Sequence, residues 1–208
     1  MMLLYCVRHG ETEFNAAGRI QGQLDSPLSP LGYRQCAAVA DALVGTPIDA
    51  IYSSQLQRAA ESARVIAERL KLDVHFDARL MEIHAGVFQG RCWPEIEQLY
   101  PDDAKRWKAQ DPDFCLPGGE SRRLLMERTY AAFQEIKLAS HQQVVVVSHG
   151  GSLSAAFKAL LEIPAHRNPF SLQNGSITRV AWSDHDVKML SLNQVDHLHG
   201  LAGGGGEL

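Results

Sequence analysis

Four consecutive valines, Val144–Val147, constrain the fold of this chain more than any other feature. A run with no polar position does not suit a half-exposed surface. It reads as a strand buried on both faces, the setting of a parallel sheet covered by helices on each side. An earlier apolar run, Leu3–Val7, has the same character, and both runs stop in the same way. Arg8-His9-Gly10 follows the first and Ser148-His149-Gly150 the second. In open α/β sheets the carboxyl ends of the strands line the ligand crevice, so two histidines delivered there from distant parts of the chain can meet. The glycines let the backbone turn sharply and approach a ligand closely. Either histidine alone reads as a strand cap bonded to a loop carbonyl; the pair, with an arginine beside one, favours a site.

The rest of the chain fits the same architecture. Asp49–Ser53 is a further strand candidate, and Ile177–Trp182 and Val187–Leu192 alternate well enough to form a hairpin through Ser183–Asp186. Leu56, Ala59, Ala60, Ala63, Ile66, Ala67 and Leu70 recur at three- and four-residue steps, one apolar helix face, with Ser53 or Ser54 as its expected cap. Ser29 followed by Pro30 predicts the start of a helix running through Val44. Two more helices are expected, from about Ser121 to Ala139 and after Gly151. Strands alternating with helices predict an α/β fold: a mostly parallel central sheet flanked by helices. Prolines at 94, 101, 112 and 117 break the pattern, which predicts a small helical and loop insertion at about 84–120, over the active site. The expected domain is one α/β unit over 1–202, with a flexible glycine-rich tail at 203–208.

Composition matters mainly for what it excludes. With 20 Lys+Arg against 24 Asp+Glu, the formal charge of -4 gives no basic bias, so a nucleic-acid partner is not expected. No stretch is long and apolar enough to span a bilayer, and Cys6, Cys36, Cys92 and Cys115 are scattered without a CxxC pair. A cytoplasmic location and no membrane partner are the expectations. His197 and His199 form an HxH, but no further ligand stands at metal-site spacing, so no metal and no cofactor are expected.

Arginine beside histidine points to phosphate, because guanidinium binds phosphate oxygens in bidentate fashion and stays charged. Arg58 follows the Asp49–Ser53 strand and lies off the apolar helix stripe, where it either joins the same sheet edge or sits on a solvated face.

At these residues the sequence resembles the histidine phosphatase superfamily, the group that includes cofactor-dependent phosphoglycerate mutases and acid phosphatases. The resemblance runs in order through Arg8-His9-Gly10-Glu11-Thr12 with Asn15, Gly18–Gly22, Asp25, Pro27-Leu28-Ser29 and Gly32. Ser53–Ala59, Leu80-Met81-Glu82 with Gly86, Phe88 and Gly90, Pro117–Ser121 and Val147–Gly151 complete it. It implies that His9 is the nucleophile, forming a phosphohistidine. It also implies that Arg8, Arg58 and His149 hold the phosphoryl oxygens, and that Glu82 is the general acid and base. Without that cue Glu82 is one carboxylate near a loop, with Asp77 its nearest rival. Asn15, Gln21, Gly22 and Gly150 are implied near the phosphate or its leaving group.

The resemblance divides mainly into phosphatases and mutases. Typical mutases carry a longer insertion after the glutamate and an asparagine after the second His-Gly; here the segment 89–119 is short and position 151 is glycine. Lys105, Arg106 and Lys108 read as a solvated helix face beside Asp102 and Asp103, and Arg122-Arg123 as the start of the third long helix. The expected activity is therefore hydrolysis of small phosphomonoesters without a metal, the partner being a small phosphorylated substrate. A mutase is the alternative, a non-catalytic phosphate-binding protein a weaker one, and a homodimer is compatible with the resemblance.

Overall fold

The computed structural model describes residues 1–201; the expected tail at 203–208 lies outside them. Its strands are β1 (Met2–Arg8), β2 (Ala50–Ser53), β3 (Val74–Phe76), β4 (Gln143–Ser148), β5 (Ile177–Trp182) and β6 (Val187–Gln194). They form one mixed sheet in the order β3-β2-β4-β1-β5-β6. The first four strands of that order are mutually parallel, whereas β5 runs antiparallel to β1 and β6 to β5. The expected mostly parallel α/β sheet is thus present. The hairpin also turns at Ser183–Asp186, where the Ser183 amide donates to the Asp186 carbonyl at 2.9 Å.

Seven α-helices among the described residues accompany the sheet: α1 (Glu13–Ala16), α2 (Pro30–Leu43), α3 (Gln57–Leu70), α4 (Trp93–Leu99), α5 (Pro101–Lys108), α6 (Arg122–Leu138) and α7 (Gly150–Leu160). Side chains alternate across a strand, so neighbouring valines of β4 serve opposite faces. Val144 and Val146 join Leu4, Cys6, Phe133 and Phe157 beneath α6 and α7, while Val145 and Val147 join Ile51, Val39, Ala63 and Ile66 beneath α2 and α3. All four valines are fully buried. Removing each such side chain from water is worth about 1.5–3 kcal/mol, which accounts for the absence of any polar position in the run.

Ser29 caps α2 by accepting from the Gly32 amide at 3.0 Å, and Ser121 caps α6 by accepting from Leu124 at 3.2 Å. The cap expected for α3 is corrected. Its N-cap is Leu56, which makes no side-chain cap bond, and Ser54 instead faces His149. Helix α7 also starts earlier than expected, at Gly150. The segment 84–120 holds short helices around a separate apolar cluster in which Phe88 meets Trp93, Tyr100 and Trp107.

Candidate active site

Strand register brings the two histidines together. Arg8 pairs with Ser148 across β1 and β4, so the residue after each, His9 and His149, leaves the sheet at the same level. The His9 amide donates to the Ser148 carbonyl at 3.0 Å, and the two ring centroids are 5.1 Å apart. Strand β2 pairs with β4 one step lower, Ser53 against Val147, and thereby delivers Ser54 and the start of α3 to the same edge. Three turns of chain distant in sequence thus converge at the carboxyl ends of parallel strands, where ligand crevices form.

The hydrogen bonds assign each ring a tautomer. His9 Nδ1 lies 2.7 Å from the Gly10 carbonyl oxygen, which can only accept, so the proton sits on Nδ1 and Nε2 keeps its lone pair. His149 Nδ1 accepts from Arg58 Nε at 3.2 Å, which places the other proton on Nε2, 2.8 Å from Ser54 Oγ. Both rings are buried. Burial, and then the positive charge of Arg58 and Arg8, pushes the His9 pKa well below the ordinary 6.5, against a small opposing pull from the Gly10 carbonyl. Burial and Arg58 do the same to His149, aided by His9, Arg8 and Arg128. Both imidazoles are neutral at neutral pH.

The arginines are held on the backbone. Arg8 donates through Nη1 to the Leu172 carbonyl. Arg58 donates to the Leu24 carbonyl at 2.9 Å and the Gly22 carbonyl at 2.7 Å. Arg58 is 1% exposed, and burial lowers its pKa to about 10, partly offset by Glu82 and Asp25. It remains a cation near neutrality. Gly22 has φ +55°, and a β-carbon there would lie 2.3 Å from Gln89 Oε1, so this turn requires glycine.

Glu82 follows a short turn after β3 and reaches the first turn of α7. Its Oε2 accepts from the Gly151 amide at 3.0 Å, while Oε1 accepts from the Ile83 amide at 2.9 Å and from Ser152 Oγ at 3.2 Å. Arg128 braces the same loop from α6, donating to the carbonyls of Arg79, Met81 and Glu82 at 2.8, 2.6 and 2.9 Å. The rival Asp77 is turned away, capping a turn and pairing with Arg79 at 2.6 Å.

A cavity of about 300 Å³ opens over these groups, and Arg8, His9, Arg58, Glu82, Gln21, Gly22 and Gly150 all line it. His149 lies behind them, fully buried and held by Arg58 and Ser54. Asn15 stands apart from the lining. Its carbonyl oxygen accepts from Thr12 and from Asn174, and Asn174 also donates to the His9 carbonyl at 3.1 Å, so Asn15 supports the loop that carries His9. Ser54, Ser152, Arg128 and Asn174 were missed as site residues. Ser54 stood in a motif block but read as a helix cap; the others carry no local signal, because they act across the fold. His197 accounts for half of the HxH pair: its Nε2 is 2.8 Å from the Gly175 carbonyl, bracing the turn behind Arg8 and His9. Among the described residues no three His, Cys, Asp or Glu side chains come together as a metal-ligand group. No helix among them is long and apolar enough to cross a membrane.

Known proteins resemble this chain in sequence and in fold. The chain is 37% identical over 213 residues to the Proteus mirabilis protein called "Probable phosphoglycerate mutase GpmB", with 97% of each chain covered. Among solved structures, YhfR of Bacillus stearothermophilus superimposes with a TM-score of 0.88 at 28% identity, covering 95% of this chain and all of that one. The mycobacterial glucosyl-3-phosphoglycerate phosphatase Rv2419c gives 0.84 at 34% identity, covering 93% and 99%. The sequence model of the histidine phosphatase superfamily, branch 1, matches residues 4–195, and this chain therefore belongs to that family.

Proposed function

We propose that the chain hydrolyses small phosphorylated metabolites through a phosphohistidine on His9, with Glu82 as general acid and base and without a metal ion. The observation that carries this reading is the Nδ1 bond of His9 to the Gly10 carbonyl. It leaves an unprotonated Nε2 on a ring that lines a cavity shared with two arginines and a carboxylate. In the first step the Nε2 lone pair forms a bond to phosphorus as the ester P–O bond breaks, and Glu82 in its acid form gives its proton to the departing alkoxide. In the second, Glu82 takes a proton from water while the water oxygen bonds to phosphorus. The P–N bond then breaks and returns its electron pair to Nε2. Arg8, Arg58 and the amide end of α7 at Gly150 supply the positive charge that the phosphoryl oxygens require in the transition state. Positioning and charge are most of what this chemistry asks of a protein.

A mutase reading is supported by the name of the Proteus mirabilis relative. Against it stands Gly151, where typical mutases carry an asparagine; a β-carbon there would lie 2.5 Å from Glu82 Oε1, so the carboxylate would have to shift to admit one. Phosphate release from p-nitrophenyl phosphate, phosphoserine and 3-phosphoglycerate in the presence of EDTA tests the proposal. Release is expected from wild type and is lost by at least a thousandfold in His9→Ala. Conversion of 3- to 2-phosphoglycerate faster than phosphate release would make the enzyme a mutase.

A further inference from the structure

A second, smaller cavity of about 50 Å³ adjoins the first, sharing Gly151, Ser154 and Asn168 with it. Its walls bring together two cations that the phosphoryl-transfer steps leave unused, Arg122 and Lys158. Lys158 is 5% exposed, and among the described residues its ammonium reaches only a backbone carbonyl, Ala165 O at 3.2 Å. Arg122 stacks on Trp107, with its guanidinium carbon 3.5 Å from the ring centroid, and donates through Nη2 to the Trp107 carbonyl at 3.1 Å. Its Nη1 is shut off from solvent and has no hydrogen-bond partner among the described residues. Burial lowers the pKa of both groups, Arg122 to about 10, with the exposed Asp111 opposing for Arg122 and the charge of Arg122 adding to the effect on Lys158. Among the described residues no carboxylate lines the cavity.

Buried charges in proteins are ordinarily paired, because an uncompensated one costs several kcal/mol. Here two cations share a cavity that supplies no anion of its own. We propose that Arg122 and Lys158 form a second anion subsite, and that the enzyme selects phosphomonoesters carrying a further carboxylate or phosphate. This rests on the cavity over His9 being the phosphate site. Geometry links the two: Gly151, Ser154, Ala155 and Lys158 recur at three- and four-residue steps along one face of α7, and all four line the smaller cavity. That face runs about 10 Å from the Glu82-binding turn to Lys158, at 1.5 Å per residue. Side chains on a helix lean toward its N-terminus, so Lys158 leans back toward the phosphate end. The smaller cavity has room for one anionic group rather than a whole metabolite.

The test measures binding to the full-length His9→Ala protein by calorimetry, using ligands that share a phosphate and differ in the second group. Glucose 6-phosphate is compared with 6-phosphogluconate, which adds a carboxylate, and with glucose 1,6-bisphosphate, which adds a phosphate. Glycerol 3-phosphate against 3-phosphoglycerate covers a shorter reach. At least one acid is expected to bind tenfold or more tightly than its neutral counterpart, and which arm does so identifies the second anion. Adding Lys158→Met or Arg122→Gln is expected to bring that ratio close to one. Lys158→Met replaces a buried ammonium by an apolar chain of similar length, so it keeps the test open if loss of the Trp107 stack unfolds Arg122→Gln. Ratios near one throughout, ratios unmoved by both substitutions, or equal weakening of both members of a pair would overturn the subsite. The same ligands offered to wild type separate the two readings. Discrimination in binding with no phosphate release refutes the hydrolase alone; release without discrimination refutes the subsite alone.

Discussion

At position 151 a β-carbon would lie 2.5 Å from Glu82 Oε1 and 3.1 Å from its Cδ. Glycine is a poor helix former, about 1 kcal/mol worse than alanine in a helix interior, yet it occupies the first turn of α7. The missing side chain is what allows the carboxylate to accept from the helix amide. Gly151→Ala is therefore expected to keep or raise thermal stability while lowering kcat on alkyl phosphates by about 10–100-fold, part of the roughly 10²–10⁴ that general acid catalysis contributes. On p-nitrophenyl phosphate the loss should be much smaller, since nitrophenolate departs without a proton. Equal losses on both substrates would remove Glu82 from the acid role. His9, Arg8, Arg58 and Glu82 were legible because each sits in a local motif, although Glu82 was legible only through resemblance. Ser152 and Arg128 were not, because what they do depends on a loop some 45 to 70 positions away, brought near only by folding.

That loop is held by a neighbouring element. It lies between β3 and α4, and Arg128 of α6 ties three of its carbonyls to the long helix, as Gln23 ties the Glu82 carbonyl from the other side at 3.0 Å. Arg128→Met keeps the aliphatic stem and frees the carbonyls. The expected result is a loss of about 1–3 kcal/mol in unfolding free energy and a fall in kcat that is again larger for alkyl phosphates, measured by urea denaturation and steady-state assay. Arg128→Lys should rescue only part of this, since one ammonium cannot fork across three acceptors. Among the elements, α2, α6, β4 and the β5–β6 hairpin could be read from periodicity and caps. Strand β3 was missed because Val-His-Phe is three residues long at a largely exposed sheet edge, where no apolar alternation is imposed. The α3 cap was misplaced because a serine suited to capping is equally suited to bonding a buried imidazole, and the sequence holds no sign of which it meets.

Across the whole molecule, the two buried histidines tie stability to pH. Their pKa values are pushed below 6.5 in the fold and return toward 6.5 on unfolding. Above 6.5 both states leave them neutral, and they contribute nothing to pH dependence. Below 6.5 the unfolded chain takes up protons that the folded chain refuses, so stability falls as pH falls. The slope approaches about 1.4 kcal/mol per pH unit for each histidine. The Tm should drop between pH 7 and pH 5, and His149→Gln should flatten that drop in calorimetric scans. A drop unchanged in the variant would place its origin elsewhere.

The sheet order has a consequence for the chain as it is made. Strand β1 pairs only with β4 and β5, both encoded far downstream, whereas β2 and β3 are neighbours in sequence as well as in space. At a ribosomal pace of about 5–20 residues per second, β1 waits on the order of 10 s for its first partner. Through that interval Leu3–Val7 is an apolar strand with both edges unpaired, the kind of segment that associates with other chains. The strand that places His9 at the carboxyl edge of the sheet is thus left unpaired while β2 and β3 are made, and the two histidines cannot meet until β4 has left the ribosome.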